Sequence, residues 1–348
     1  LKTDWTGSKY CGLTFDWDYT KRTVDISMPG YIERALLRFS HKAPTTSQDS
    51  PHAWSKPNYG AKTQYAPLDD TTDELSTADK TRIQEIVGVL LFYGRAVDST
   101  LLPALGTIAT QQASATTSTM KAITQLLNYC ATHPDAVVRY YSSDMVLYIE
   151  SDASYLSESK ARSRAAGFHY LSNNPPTPDQ PPAATDPSPP MNGAIIVPCK
   201  IMREVLSSAS EAELAALFYN GKEGAPLRIT LEELGHPQPP TPMVTDNSTA
   251  SGIANESVKQ KRSKAMDMRF YWIRDRVRQG QYHVYSLRGS TNRADYFTKH
   301  HPLKHHIAML PAYLLEPNNV IYYYCLHDDI PPQPPNQAKP ATRKASLL

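Results

Sequence analysis

From Asp144 to Lys299 the apolar pattern switches repeatedly between a period of two and a helical period, which constrains the fold more than any other feature of the chain. Asp144–Asp152 (Asp-Met-Val-Leu-Tyr-Ile-Glu-Ser-Asp) reads as a strand, Ala165–Ser172 as a second and Gly193–Pro198 as a third. Lys160, Arg162 and Arg164 place positive charge between the first two. Ser207–Asn220 is the clearest helix: Ser207 or Ser208 can cap it, and Glu211 lies in the first turn, where the helix dipole favours an anion. Leu227–Leu234 reads as a second helix, Pro242–Asp246 as a strand, Asn247–Asn255 and the basic stretch Lys259–Arg278 as helices, Gln281–Leu287 as a strand, and Thr291–Lys299 as a closing helix. Three strands followed by helices alternating with strands predict a mixed sheet flanked by helices.

Four acidic positions recur at the edges of these elements: Asp152 in Ser151-Asp-Ala-Ser154, Glu213 in Ser207-Ser-Ala-Ser-Glu-Ala-Glu-Leu214, Asp246 in Thr245-Asp-Asn-Ser-Thr249, and Asp295 in Asn292-Arg-Ala-Asp295. Taken singly, each is an ordinary turn or cap residue. Gathered at one edge of the sheet, the four cannot all stay ionised without a cation, because like charges at short range raise one another's pKa. Magnesium or manganese, hard ions that take oxygen ligands, would resolve the conflict. A pair of such ions serves in-line displacement at a phosphodiester, the chemistry of a nuclease. Glu211 and Glu213 are two residues apart and project from different sides of their helix, so only one faces a shared site; spacing alone does not say which.

The first part of the chain differs in character. Residues 10–28 read as a hairpin turning at 19–22, and Gly30 precedes a short amphipathic helix, Tyr31–Phe39. Residues 41–79 are polar and Pro-rich and read as a long loop; Asp69-Asp70 within it reads as a solvated pair. Residues 80–132 carry three apolar stripes, at Ile83–Leu91, Leu101–Thr110 and Met120–Cys130, and read as a small helical module. Segment 173–190 holds eight prolines in eighteen positions and reads as an extended insertion. These shifts suggest four parts: 1–66, 67–140, 141–313 with the 173–190 insertion, and an irregular tail, 314–348.

A net charge of +2 over 348 residues excludes a general polycation, so a nucleic-acid surface would need local clustering. Lys259–Arg278 supplies it, with eight Lys or Arg against two Asp. Lys259, Lys261, Arg262, Lys264 and Arg269 are the candidate phosphate contacts, while Phe270 and Trp272 read as core. His300, His301, His305 and His306 straddle Pro302 irregularly and read as a surface turn. Four scattered cysteines form no C-x-x-C pair and point to a reducing compartment. With no signal-peptide pattern and no apolar run of roughly 20 residues, the reading is intracellular and cytoplasmic, with no membrane partner. The missing initial Met and the start in mid-pattern read as a piece of a longer polyprotein.

Ser151-Asp-Ala-Ser154, Ser207–Leu214, Thr245–Ala250 and Asn292-Arg-Ala-Asp-Tyr-Phe-Thr-Lys299 resemble, in this order, the RNase H domain of copia-type LTR retrotransposon polyproteins. Residues 10–39 and 80–132 look like the end of that family's reverse transcriptase, its thumb and connection region. The resemblance implies an RNase H-like mixed five-stranded sheet and cleavage of the RNA strand of RNA–DNA hybrids by a two-ion site. It selects Glu213 over Glu211 and assigns Asp152, Glu213, Asp246 and Asp295 as catalytic and metal-holding residues, with two Mg2+ (or Mn2+) ions. It also implies other parts of the polyprotein as partners and a virus-like particle as a place of action. The chain departs from the family in three ways: the polymerase Asp pair is absent, the 173–190 insertion replaces a short turn, and the loop before Asp295 has no His to shuttle a proton. A non-catalytic remnant or a hybrid-binding scaffold is the alternative that these departures leave open.

Overall fold

The computed structural model describes residues 3–55, 70–173, 192–258 and 268–315, which fall in one compact unit. The sheet is built on β5 (Val146–Glu158), whose first seven residues are all buried. A strand buried on both faces needs a core on each, and the period of two supplies them. Leu147 and Ile149 pack toward α5 (Ala209–Glu233) and α6 (Ser248–Ala254), with Leu214, Leu217, Met243 and Ile253. Val146 and Tyr148 pack the other way, among Phe168, Tyr170, Tyr296, Phe297 and Tyr313.

β6 (Arg162–Ser172) lies antiparallel to β5 on one side, and β9 (Thr241–Thr245) parallel to it on the other. β10 (Tyr282–Ser286) continues the sheet parallel to β9, and β7 (Ala194–Ile196) closes it antiparallel to β6. The order is β10-β9-β5-β6-β7, the RNase H-like mixed arrangement, with a three-residue sixth strand, β8 (Cys199–Ile201), also on β6. The parallel joins are made through α5 and through α6 with α7 (Trp272–Arg278), because parallel neighbours need long crossovers.

Three sequence expectations are corrected. β5 does not stop at Asp152: β5 and β6 run on as a bulged hairpin, pairing Glu158 with Arg162. Arg164 therefore sits in a strand, fully buried, 2.6 Å from Glu158 and donating to the Pro103 carbonyl (2.9 Å) and the Thr107 hydroxyl (2.7 Å). The expected helices Ser207–Asn220 and Leu227–Leu234 are one helix, α5, which passes straight through Pro226. Its glycines account for its path. A Cβ on Gly224 would stand 2.6 Å from Ile149 Cδ1, so only glycine lets the helix lie this close to β5. The closing helix is a 3-10 turn, Arg293–Thr298. Phe270 is fully buried and Trp272 packs against the same core.

Ahead of this sheet, β1 (Lys9–Tyr10), β2 (Leu13–Asp18) and β3 (Thr23–Ser27) form an antiparallel meander with the expected turn, Asp18 pairing with Thr23. β4 (Val137–Tyr141), unforeseen, adds a fourth strand against β3. Gly30, at φ +70°, turns the chain into α1 (Tyr31–Arg38). α2 (Thr77–Ala96), α3 (Leu102–Gln111) and α4 (Thr117–Thr132) follow, with Ser76 and Thr116 as side-chain N-caps. Met28, Ile32 and Phe39 share one core with Ile83, Leu90, Leu105, Ile123 and Val138, so meander and helices pack as one body. Asp70 accepts from Thr72 and Thr116, a turn role. Asp69 and the insertion from residue 174 to 191 lie outside the described residues.

The histidines do not form a surface turn. His301 and His306 are buried, and α8 (Leu303–Met309) carries His306 between the Tyr296 and Tyr129 hydroxyls, at 2.6 and 3.2 Å. His52 stacks on His300 with ring centroids 4.1 Å apart. These rings join the helical body to the segment that carries Asp295. Burial holds His301 and His306 at about 4 and His52 at about 2, below the ordinary 6.5, so each is neutral in the fold. A depressed histidine contributes stability above its unfolded pKa and loses it as pH falls toward the folded value. The unfolding free energy measured in urea should thus fall between pH 6.5 and pH 4, by about 2 kcal/mol per histidine at pH 5. His52→Phe, which keeps the stack but not the titration, should lose correspondingly less; equal pH dependence in the two proteins would refute this account.

Candidate metal centre

The parallel pairing of β5 with β9, Glu150 beside Val244, brings the residue after β9 next to Asp152. That residue is Asp246. α5 starts over the same edge, capped by the Ser208 hydroxyl, which accepts from the Glu211 amide (3.1 Å). Glu211 turns back to accept from the amide and hydroxyl of Ser207, both at 2.7 Å. Glu213 points to the other side and accepts from the Ala153 amide (3.1 Å) and the Thr245 hydroxyl (3.0 Å). Helical geometry therefore divides the two glutamates: Glu211 caps, and Glu213 spans β5 and β9.

Carboxylate oxygens of Asp152, Glu213 and Asp246 lie within 4.8 Å of one another, the first two buried and the third exposed. Asp295 does not join this set. Its carboxylate accepts the Lys299 ammonium at 2.6 Å. It stays close enough for its charge to raise the pKa of both Asp152 and Asp246. Burial is the larger cause of the upward shift at Asp152, Glu213 and Asp246; the charge of Asp295 adds to it at Asp152 and Asp246, and those of Asp152 and Asp246 at Glu213.

The segment from Asn292 to Thr298 is fastened to β5 by side chains that the sequence patterns did not single out. The Asn292 amide donates to the Ser151 carbonyl (2.9 Å), the Thr298 hydroxyl to Asp152 Oδ2 (2.8 Å), and the Ser154 hydroxyl to the Thr298 carbonyl (2.7 Å). Glu150, buried, accepts from the Arg293 amide, while the Arg293 guanidinium lies over Tyr170, 4.8 Å from the ring centre. Asn292, Thr298 and Glu150 were visible only as neighbours of the candidate acids. Gly289 presses from the third side, where a Cβ would meet Asp246 Oδ2 at 2.8 Å.

Of the candidate phosphate contacts, Lys259, Lys261, Arg262 and Lys264 lie outside the described residues, and only the backbone of Arg269 is described. Downstream, Arg274 and Arg278 are paired with Glu256. No helix among the described residues is long and apolar enough to cross a membrane.

An RNase H-like sheet with three clustered carboxylates at one edge defines the class to which the domain is similar. Over 290 residues, 83% of the chain, it is 24% identical to the retrovirus-related Pol polyprotein from transposon TNT 1-94 of Nicotiana tabacum. The resemblance to retrotransposon polyproteins thus extends over most of the chain, while the chain spans 20% of that relative's length. Among solved structures it is similar to RNase H1 from the halophilic archaeon Halobacterium salinarum NRC-1, at 12% identity and a TM-score of 0.28, covering 44% of this chain and 94% of that one. It is also similar to the N-terminal RNase H domain of rv2228c from Mycobacterium tuberculosis, solved as a fusion with maltose binding protein, at 12% and 0.29, covering 48% and 96%. At these scores the fold rests on the strand order above and not on the likeness. No family model matches the chain.

An all-oxygen set of this size suits a hard divalent ion, and without one the buried charges oppose folding. Asp152→Asn should therefore raise the melting midpoint in EDTA by about 2–4 °C, what roughly 1 kcal/mol is worth in a domain of this size. Magnesium should raise the wild-type midpoint and leave the variant's unchanged. A magnesium response that survives the substitution would place the ion elsewhere.

Proposed function

We propose that the chain is a ribonuclease H, a metal-dependent endonuclease that hydrolyses the RNA strand of RNA–DNA hybrids during retrotransposon reverse transcription. The observation that carries this reading is the meeting of Asp152, Glu213 and Asp246 oxygens within 4.8 Å at one edge of the mixed sheet. All donors are carboxylate oxygens, which fits Mg2+ or Mn2+ and disfavours softer metals. When bound, two such ions supply an activated water and charge to stabilise the leaving 3′-oxygen.

The chain's own residues do the rest. Asp152, which accepts from the Thr298 hydroxyl, would be the central ligand. Glu213, fixed between the Ala153 amide and Thr245, and Asp246, at the exposed rim, would hold the ions with it. Asp295 joins as the fourth catalytic carboxylate once it leaves Lys299. Hybrid recognition uses shape, phosphates and 2′-hydroxyls in place of base edges. Lys259, Lys261, Arg262, Lys264 and Arg269 are the proposed phosphate contacts, on the charge of the sequence alone. Residues 1–140 act as the thumb and connection end of a reverse transcriptase, and the remainder of the polyprotein is the natural partner.

The test is cleavage of an end-labelled RNA–DNA hybrid by the full chain in magnesium, manganese or EDTA, beside Asp152→Asn and Glu213→Gln. Metal-dependent cutting of the RNA strand alone, reduced at least about a hundredfold in each variant, is expected. Hybrid that is bound but uncut in every metal would overturn the enzyme in favour of a scaffold or remnant. Undiminished activity in Glu213→Gln, with loss in Glu211→Gln, would reassign the helix glutamate.

A further inference from the structure

The carboxylate centre contains a cation of its own. Lys299 follows the 3-10 turn Arg293–Thr298, and its ammonium sits 2.6 Å from Asp295 Oδ1 with its side chain 40% exposed. Its charge also reaches Asp152 and Asp246, opposing their mutual repulsion. The pair is half-exposed, and such an ion pair is worth at most about 1 kcal/mol, so fold stability is a poor reason for this placement. Arg293, on the same turn, belongs to Glu150 and the aromatic rings instead.

Charge counting shows what Lys299 does when the centre is loaded. Four carboxylates and two divalent ions cancel, which leaves the ammonium as a single positive charge beside the reacting position. A phosphodiester carries a single negative charge. Asp295 Oδ1 cannot serve the ammonium and a divalent ion at full strength together, and a flexible four-carbon stem lets the ammonium move while its backbone stays anchored.

We propose that Lys299 is a substrate-binding residue of this centre: its ammonium rests on Asp295 in the metal-free protein and transfers to a non-bridging oxygen of the hybrid's phosphodiester when a metal ion takes the Asp295 carboxylate. This rests on the ribonuclease reading above. It deepens that reading by assigning the site a direct phosphate contact and Asp295 a handover between two cations.

The experiment uses the full chain and its variants Lys299→Gln and Lys299→Arg. Binding of a fluorescent RNA–DNA hybrid is followed by anisotropy in Ca2+, an oxygen-seeking ion with looser geometry than Mg2+, over a range of salt concentrations. Mn2+ binding without hybrid is followed by its paramagnetic resonance signal. Lys299→Gln should weaken hybrid binding about tenfold and reduce the salt slope by about one, as loss of one phosphate contact requires. Lys299→Arg should retain most of the affinity. Mn2+ should bind Lys299→Gln as tightly as wild type or more tightly, since its competitor for Asp295 is gone. Unchanged hybrid affinity and salt slope in Lys299→Gln, with wild type binding normally, would overturn the inference and leave the ribonuclease reading standing. Weaker Mn2+ binding in Lys299→Gln would overturn it too, making the lysine a support for the ligands. A wild-type chain that bound neither Mn2+ nor hybrid would remove both proposals together.

Discussion

Asp152 and Glu213 are buried carboxylates held within reach of Asp246 at the exposed rim, and the surrounding structure can be understood as the apparatus that holds the three together. Burial alone disfavours each charge, and proximity compounds it. Such a cluster stays in place only if its backbone is fixed by interactions that do not involve the charges themselves. β5 supplies one anchor by being buried on both faces. α5 supplies another, pressed onto β5 at Gly224 and held at its far end by Arg228, which donates to the Pro239 carbonyl and the Thr241 hydroxyl. β9, between β5 and β10, fixes where Asp246 emerges.

The third anchor is the segment from Asn292 to Thr298. It lacks regular α-helix or strand, so ladder hydrogen bonds cannot position it, and its side chains do so instead. Asn292, Arg293 and Thr298 each engage the stretch Glu150–Asp152 of β5 by a separate bond. On its outer side the Tyr296 ring lies between Phe297, Tyr313 and the His301 and His306 rings, and His306 reaches Tyr129 of α4. The position of Asp295 is thus coupled through packed rings to the helical body. Among the described residues that body contributes no carboxylate to the cluster, and its bearing on the site is mechanical.

How much of this was legible in the sequence depended on whether the responsible interaction is local. The β2–β3 hairpin, α1 to α4 and the core strands were readable because period and capping are properties of a few neighbouring residues. The meeting of Asp152 with Asp246 was readable at one remove, since two strand ends in a mixed sheet share an edge when the strands are parallel. Where a distant partner decided the outcome, local reading failed. Arg164 reads as a loop charge until Glu158, Pro103 and Thr107 close around it. Gly221, Gly224 and Pro226 read as a helix break, yet they lie in one helix because glycine is what lets α5 approach β5 and α7, with a Cβ at Gly221 only 2.9 Å from Ile273. β4 has a pattern too short to recognise without β3 beside it.

The division between Glu211 and Glu213 shows the same limit at a single residue. Two glutamates two positions apart are equivalent by composition and nearly so by propensity. What separates them is where the helix begins and which face of it packs on the sheet. With Ser208 as N-cap, Glu211 falls at the third helical position and can reach back to Ser207, which consumes its carboxylate in capping. Glu213 is then turned toward the β5–β9 edge by helix geometry. Had Ser207 been the cap, Glu211 would fall one position further along and lose this capping role, while Glu213 would keep its facing, because the packing of Leu214 and Leu217 on the β5 core sets the rotation of α5. The cap at the start of α5 therefore occupies Glu211, and the packed face of the helix presents Glu213 to the β5–β9 edge.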